Sequence, residues 1–168
     1  MQDALIQWFT GTLGGLISEE GIVFIISMFP ILELRGGLIA AALFRIPLLK
    51  AIIICLVGNI IPIPFILWFI TPIFTWMKKT ALFRPIVEKV ENKAMGKSDR
   101  IQRYEFLGLL LFVGIPLPGT GAWTGALIAS LLGMKGKKAF VAILFGILMA
   151  TVIMCTFTYF IPWLLSVM

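Results

Sequence analysis

Four stretches of this chain, residues 21–45, 49–77, 106–133 and 139–166, are almost wholly apolar. Each is longer than the roughly 20 residues a helix needs to cross about 30 Å of hydrocarbon. Such a chain takes the bilayer as its solvent. The composition agrees: of 168 residues 60% are apolar and only 13% charged, with a mean hydropathy of +1.06, far from the balance of a soluble domain. The opening residues, MQDALIQWFTGTLGGLISEE, have no basic n-region and no small-residue cleavage site, so no removable signal peptide is expected.

The net charge of +6 raises the question of nucleic acid, and its distribution answers it. Of 14 basic residues, 8 fall in 78–103 (Lys78, Lys79, Arg84, Lys89, Lys93, Lys97, Arg100, Arg103) and 3 in 135–138 (Lys135, Lys137, Lys138). Cations clustered beside apolar spans are the positive-inside signal and place both clusters in the cytoplasm. No nucleic-acid partner is expected. The chain has no histidine, and Cys55 and Cys155 sit singly inside apolar runs, which excludes a disulfide framework and a Cys/His metal site. Both cysteines read as packing residues, and neither a metal nor a cofactor is expected.

Sliding the sequence along itself by 88 positions aligns Pro30 with Pro118, Gly37 with Gly125, Lys50 with Lys138, Gly58 with Gly146 and Phe69 with Phe157. The chain reads as an internal duplication. Each repeat, 21–77 and 106–168, is a broken segment followed by a long helix. The breaks are Pro30-Ile-Leu-Glu33-Leu-Arg35-Gly36-Gly37 and Gly114-Ile-Pro116-Leu-Pro118-Gly119-Thr120-Gly121-Ala-Trp123-Thr124-Gly125. The arms on either side hold about ten residues, roughly 15 Å of helix, or half a bilayer. Proline removes a backbone donor and glycine tolerates tight reversals, so a re-entrant hairpin is expected at each break. Four full crossings, two of them proline-kinked, is the plain alternative.

Topology favours re-entry. If 106–133 crossed fully, the two basic clusters would lie on opposite sides; if it re-enters, all 11 cations share one, leaving only Arg45 and Lys50 misplaced outside the membrane core. One crossing per repeat also makes the repeats inverted, as in many secondary transporters, with both termini outside. The expected fold is therefore an all-α integral membrane protein of two inverted repeats in a single membrane domain. Interfacial helices are expected over 1–20, on the outer side, and over the basic linker 78–105, lying on the anionic cytoplasmic leaflet. A merely solvated linker is the other reading of 78–105.

Glu33 and Arg35 are the charges set well inside an apolar segment. Ionisable groups at that depth cost about 2.5–3.5 kcal/mol each on insertion scales, so they face a cavity, a partner or a substrate. A carboxylate in a low-dielectric pocket beside a cation can titrate near working pH and act as a coupling site. Arg35 can bind an anionic group or hold Glu33 ionised. A structural Glu–Arg pair that pins the hairpin is the bland alternative. In the second break the freed backbone groups and the Thr120 and Thr124 hydroxyls are candidate ligands. Trp123 either shapes a ligand path or packs at an interface. Asn59, near Pro62 and Pro64, either lines the same cavity or makes a helix–helix hydrogen bond. Loop formation falls to Pro30, Gly36, Gly37, Pro116, Pro118, Gly119, Gly121 and Gly125. No Walker glycine loop, His-based metal motif or GxSxG elbow is present, so an enzyme is not expected.

The ELRG stretch at 33–36 and the PLPGTGAW stretch at 116–123, set in two loop-plus-helix units, resemble the small multidrug export family of bacteria and archaea. The resemblance covers nearly the whole chain. That family is in turn distantly similar to the DedA and VTT membrane proteins, with two inverted re-entrant loops and proposed roles in proton-coupled transport and lipid movement. The resemblance implies the prokaryotic cytoplasmic (inner) membrane and points to Glu33, Arg35, Pro116, Pro118, Gly119 and Gly121. DedA-like members carry an arginine in the second motif, and this chain has Trp123 and threonines there instead. The leading expectation is a proton-coupled secondary transporter, a homodimer, moving a small-molecule or lipid substrate. A polyprenyl-phosphate flippase or scramblase is the rival, and a non-transporting scaffold the third reading.

Overall fold

The computed structural model describes residues 17–80, 83–95, 105–117 and 119–161. The N-terminal interfacial helix expected before residue 17 and the loop residue Pro118 lie outside them. The helices are α1 (Glu19–Met28), α2 (Glu33–Leu43), α3 (Leu48–Ile60), α4 (Pro62–Met77), α5 (Arg84–Met95), α6 (Phe106–Gly114), α7 (Ala122–Leu131) and α8 (Gly136–Cys155). α8 runs on into a π-helical turn, Thr156–Phe160. No strand occurs among the described residues.

Helix lengths divide the elements into two kinds. α3 with α4 forms a 30-residue apolar stretch, Leu48–Met77, and α8 with its π turn forms one of 25 residues, Gly136–Phe160. At 1.5 Å per residue these reach about 45 and 38 Å, enough to cross a bilayer. α1, α2, α6 and α7 have 10, 11, 9 and 10 residues, about half that thickness. Neither 21–45 nor 106–133 is a single helix of crossing length. The outer faces of the long helices, among them Ile53, Val57, Phe65, Trp68, Phe145 and Val152, are exposed and apolar, a surface suited to hydrocarbon rather than water.

Local chemistry sets the ends. Ser18 caps α1, its Oγ accepting from Gly21 N–H at 3.2 Å, and Glu19 and Glu20 occupy the positive first turn. α2 and α7 end alike. Ile46 N–H donates to Ala41 O (2.9 Å) and Arg45 N–H to Ala42 O (3.0 Å); Met134 N–H donates to Ala129 O (3.0 Å) and Gly133 N–H to Ser130 O (3.1 Å). These are Schellman closures, which require a left-handed residue, supplied by Arg45 (φ 55°) and by Gly133 (φ 68°).

The chain packs as two compact units. The first gathers α1, α2, α3 and residues 147–161, with α1 and α2 packed on each other and on α3, and the π turn on α2. The second gathers α4, α5, α6, α7 and α8 up to Gly146, with α4 and α5 packed on α7. Each unit therefore holds one short-helix hairpin, the start of the long helix that follows it, and the far end of the long helix from the other repeat.

The two units close around the same small-residue crossings. A Cβ at Gly58 of α3 would lie 2.8 Å from Phe24 O and 3.0 Å from Ser27 Cβ of α1. A Cβ at Gly146 of α8 would lie 2.8 Å from Leu110 O and 2.7 Å from Val113 Cβ of α6. Gly37 meets Ser27 in the first unit and Gly125 meets Val113 in the second. Without a driving force between apolar helices in lipid, such close backbone approach is what holds them together. Two glycine pairs aligned at the 88-residue offset thus stand at matching crossings, one in each unit.

α5 is neither bare linker nor free helix: Val87 is fully buried in its unit, while Phe83, Ile86 and Val90 stay exposed. Lys78 pairs with Glu91, and Arg84 with Glu88 at 2.8 Å.

Candidate functional site

The first hairpin turns over Phe29-Pro30-Ile31-Leu32. Pro30 brings no N–H, and the turn is closed around it: Phe29 N–H donates to Ile26 O (3.1 Å), while Leu32 and Glu33 N–H both donate to Phe29 O (3.2 and 2.8 Å). Glu33 opens α2 and is buried, 6% exposed, at a φ of 50°. That left-handed conformation costs a non-glycine residue about 1–2 kcal/mol. The position 88 residues later is Gly121, φ 141°, which opens α7 in the second repeat without the penalty. One repeat thus places an acid where the other places a glycine. Such strain persists only where the surrounding structure over-determines it.

Two features make the carboxylate tolerable there. It lies in the first turn of α2, where the helix dipole favours negative charge. Arg35, half-buried two residues on, has Glu33 as its charged neighbour. Gly36 and Gly37 follow because nothing larger fits: a Cβ at Gly36 would meet Leu32 Cβ at 2.7 Å, and one at Gly37 would meet Ser27 Oγ at 2.0 Å and Cys55 Sγ at 2.9 Å.

Asn59 belongs to the same unit and is 2% exposed, with no hydrogen-bond partner for its Oδ1 among the described residues. The helix–helix bond expected as one reading is not made by this oxygen. A buried acceptor left so costs about 1–3 kcal/mol, which a ligand donor or cation would relieve.

The second hairpin is knotted by Thr120. Its hydroxyl lies within donating distance of Leu117 O (2.8 Å) and Ile115 O (3.0 Å), and Leu117 N–H donates to Thr120 Oγ1 (3.3 Å). Gly119 (φ 76°) and Gly121 carry the reversal, and Gly125 admits Val113 Cγ2 at 2.7 Å from its virtual Cβ. Trp123 and Thr124 stand half-buried in the first turn of α7, and Pro116 precedes the knot. The candidate residues fall into two sets, with Glu33, Arg35 and Asn59 in the first unit and Thr120, Trp123 and Thr124 in the second.

Sequence reasoning passed over several polar groups. Ser27 is fully buried, donates to Val23 O at 2.8 Å and sits at the crossing with Gly37. Thr71 and Ser130 hydroxyls join α4 to α7 at 2.8 Å. Lys50 pairs with Glu20, and Lys138 pairs with Glu105, so both hairpins are clipped at the base to the following long helix. Lys138 beside it holds the Glu105 carboxyl below its ordinary range. The lysines are an exact pair at the 88-residue offset, and that was the available signal.

The sequence profile of the family described as "Putative small multi-drug export protein" matches residues 33–153, starting at Glu33 itself. The chain belongs to that family. Comparisons with curated proteins and with solved structures give no significant match. Family membership and two apolar helices of crossing length together make this chain a membrane protein of a family whose description names export.

Proposed function

We propose that this small multidrug export protein is a proton-coupled secondary transporter in which Glu33 carries the coupling proton. The observation that supports this most is Glu33 itself: buried, at a strained φ, and standing where the second repeat has Gly121. A carboxylate that exchanges a proton as its surroundings change gives a transporter two states of different charge.

In this reading each hairpin re-enters the membrane instead of crossing it. The candidate ligands are Glu33, Arg35 and Asn59 Oδ1 in one unit and Thr120, Trp123 and Thr124 in the other. A small cationic or amphipathic substrate competes with the proton for Glu33. The basic linker faces the cytoplasm, and one of the two misplaced cations, Lys50, is neutralised by Glu20. Two copies supply the walls that one short chain lacks.

The test is flux in proteoliposomes carrying an imposed pH gradient, with an ethidium-type cation as probe, for the wild type and Glu33→Gln. The variant keeps shape and loses the titration, so gradient-driven flux should vanish while the unfolding temperature stays put. Undiminished flux in Glu33→Gln would remove Glu33 from the mechanism. Retained passive lipid exchange in the variant, without drug flux in the wild type, would favour the flippase reading.

A further inference from the structure

A groove of about 610 Å³ lies on the first compact unit, and no residue of Glu33's hairpin turn lines it. Leu48 and Ile52 of α3 form one wall, and Val152, Cys155, Thr156 and Tyr159 of the last helix form the other. Its size is that of a small-ligand site, and its lining is overwhelmingly apolar. The irregular backbone of the π turn, Thr156–Phe160, supplies the floor at one end. Such turns inside α-helices recur at functional positions.

That end is also reached by the loop that carries a cation. Tyr159 Oη lies 3.5 Å from Ile46 O, which brings the loop after α2 to the groove. The residue before Ile46 is Arg45, exposed and held at a φ of 55°. Its counterpart 88 residues on is Gly133, φ 68°, with the same two Schellman hydrogen bonds and open space where a Cβ would be. Glycine suits that position better, and nothing in the closure itself calls for arginine. Arg45 has no carboxylate partner among the described residues, whereas nearby Lys50 takes Glu20. A charged side chain is thus kept at a cost in backbone strain, beside an apolar channel.

We propose that the groove seats one acyl chain of an anionic phospholipid whose headgroup is held by Arg45. The chemistry is complementary at both ends: hydrocarbon against Leu48, Ile52 and Val152, and a phosphate against a guanidinium that binds it bidentately. The site is independent of the coupling role assigned to Glu33. It also accounts for Arg45, the other cation on the side that the positive-inside rule leaves bare.

The experiment uses the full chain in nanodiscs of phosphatidylcholine containing a small share of phosphatidylglycerol with a photoactivatable acyl chain, or the same share of equally modified phosphatidylcholine. After illumination, labelled peptides are mapped by mass spectrometry. Residues 48–52 and 147–161 should carry about fivefold more label from phosphatidylglycerol, the worth of one cation near the surface. Arg45→Gly should bring that preference down to one while raising the unfolding temperature, and Arg45→Asn, which also tolerates the left-handed region, should lose the preference too. Val152→Trp should fill the groove and abolish labelling from both lipids. Equal labelling by the two lipids in the wild type, or an unchanged preference in Arg45→Gly and Arg45→Asn, would overturn the proposal. So would efficient disulfide cross-linking of Val152→Cys between two copies, since a second copy would then cover the groove.

Discussion

Gly58→Ala and Gly146→Ala test the duplicated crossings directly. In an ordinary helix this change is favourable by about 0.5–1 kcal/mol, because alanine loses less backbone freedom. Here the new methyl would stand 2.8 Å from a backbone carbonyl oxygen in each unit, Phe24 O or Leu110 O, with a second fixed atom at 3.0 or 2.7 Å. Neither a carbonyl nor a Cβ can rotate away, so α3 must move off α1, and α8 off α6, by some tenths of an ångström. Overpacking of this kind costs about 1–3 kcal/mol, and the helix-propensity gain offsets less than half of a mid-range cost. The net loss is about 1 kcal/mol for each variant, or an unfolding temperature lower by about 2–4 °C for a chain of this size. The sites share no neighbours and belong to separate units, so the double variant should lose twice as much. Thermal unfolding in a mild detergent, followed by helical circular dichroism, reads the shift. A higher unfolding temperature in either single variant would mean that the helices separate at no cost, and the packing argument would fail.

Two further outcomes follow from the second unit. Thr120→Val removes the hydroxyl that fastens Ile115 and Leu117, and should cost about 1–2 kcal/mol, with faster proteolysis at the 115–121 loop as the reading; an unaltered cleavage rate would show that the knot is dispensable. Glu105, with its pKa lowered by Lys138, contributes fully above the ordinary glutamate range of about pH 4–5 and loses that contribution as pH falls through the lowered value. Acidification should therefore lower the unfolding temperature of the wild type more than that of Lys138→Met, and high salt should shrink the difference because both groups are exposed. Parallel profiles for the two proteins would contradict it.

Much of the fold was legible because lipid solvent makes it so. Length separates two helices long enough to cross from arms of about half that length, and proline with glycine marks the two breaks. The 88-residue offset located Gly37 with Gly125 and Gly58 with Gly146, which are contact positions in both units. The first arms escaped that alignment for a physical reason: the second turn is longer, so Phe24 corresponds to Leu110, and Ser27 to Val113, two residues out of step. Glu33 and Arg35 were found by charge, but the strain at Glu33 was not, since positive φ is normally read from glycine, and Glu33 and Arg45 sit where their repeat partners have it. The ion pairs at Lys50 and Lys138 join residues about thirty apart, beyond any local pattern. Hydropathy was equally silent on which half of a long helix packs with which hairpin.

That exchange of helix ends bears on how the chain comes to be folded. A ribosome that has released residues 1–80 has made one whole repeat and still lacks the segment from Ile147 that joins the first cluster. Severing the backbone in the basic linker should leave two pieces that keep their long helices, bind each other and restore the protein when synthesised together in one membrane.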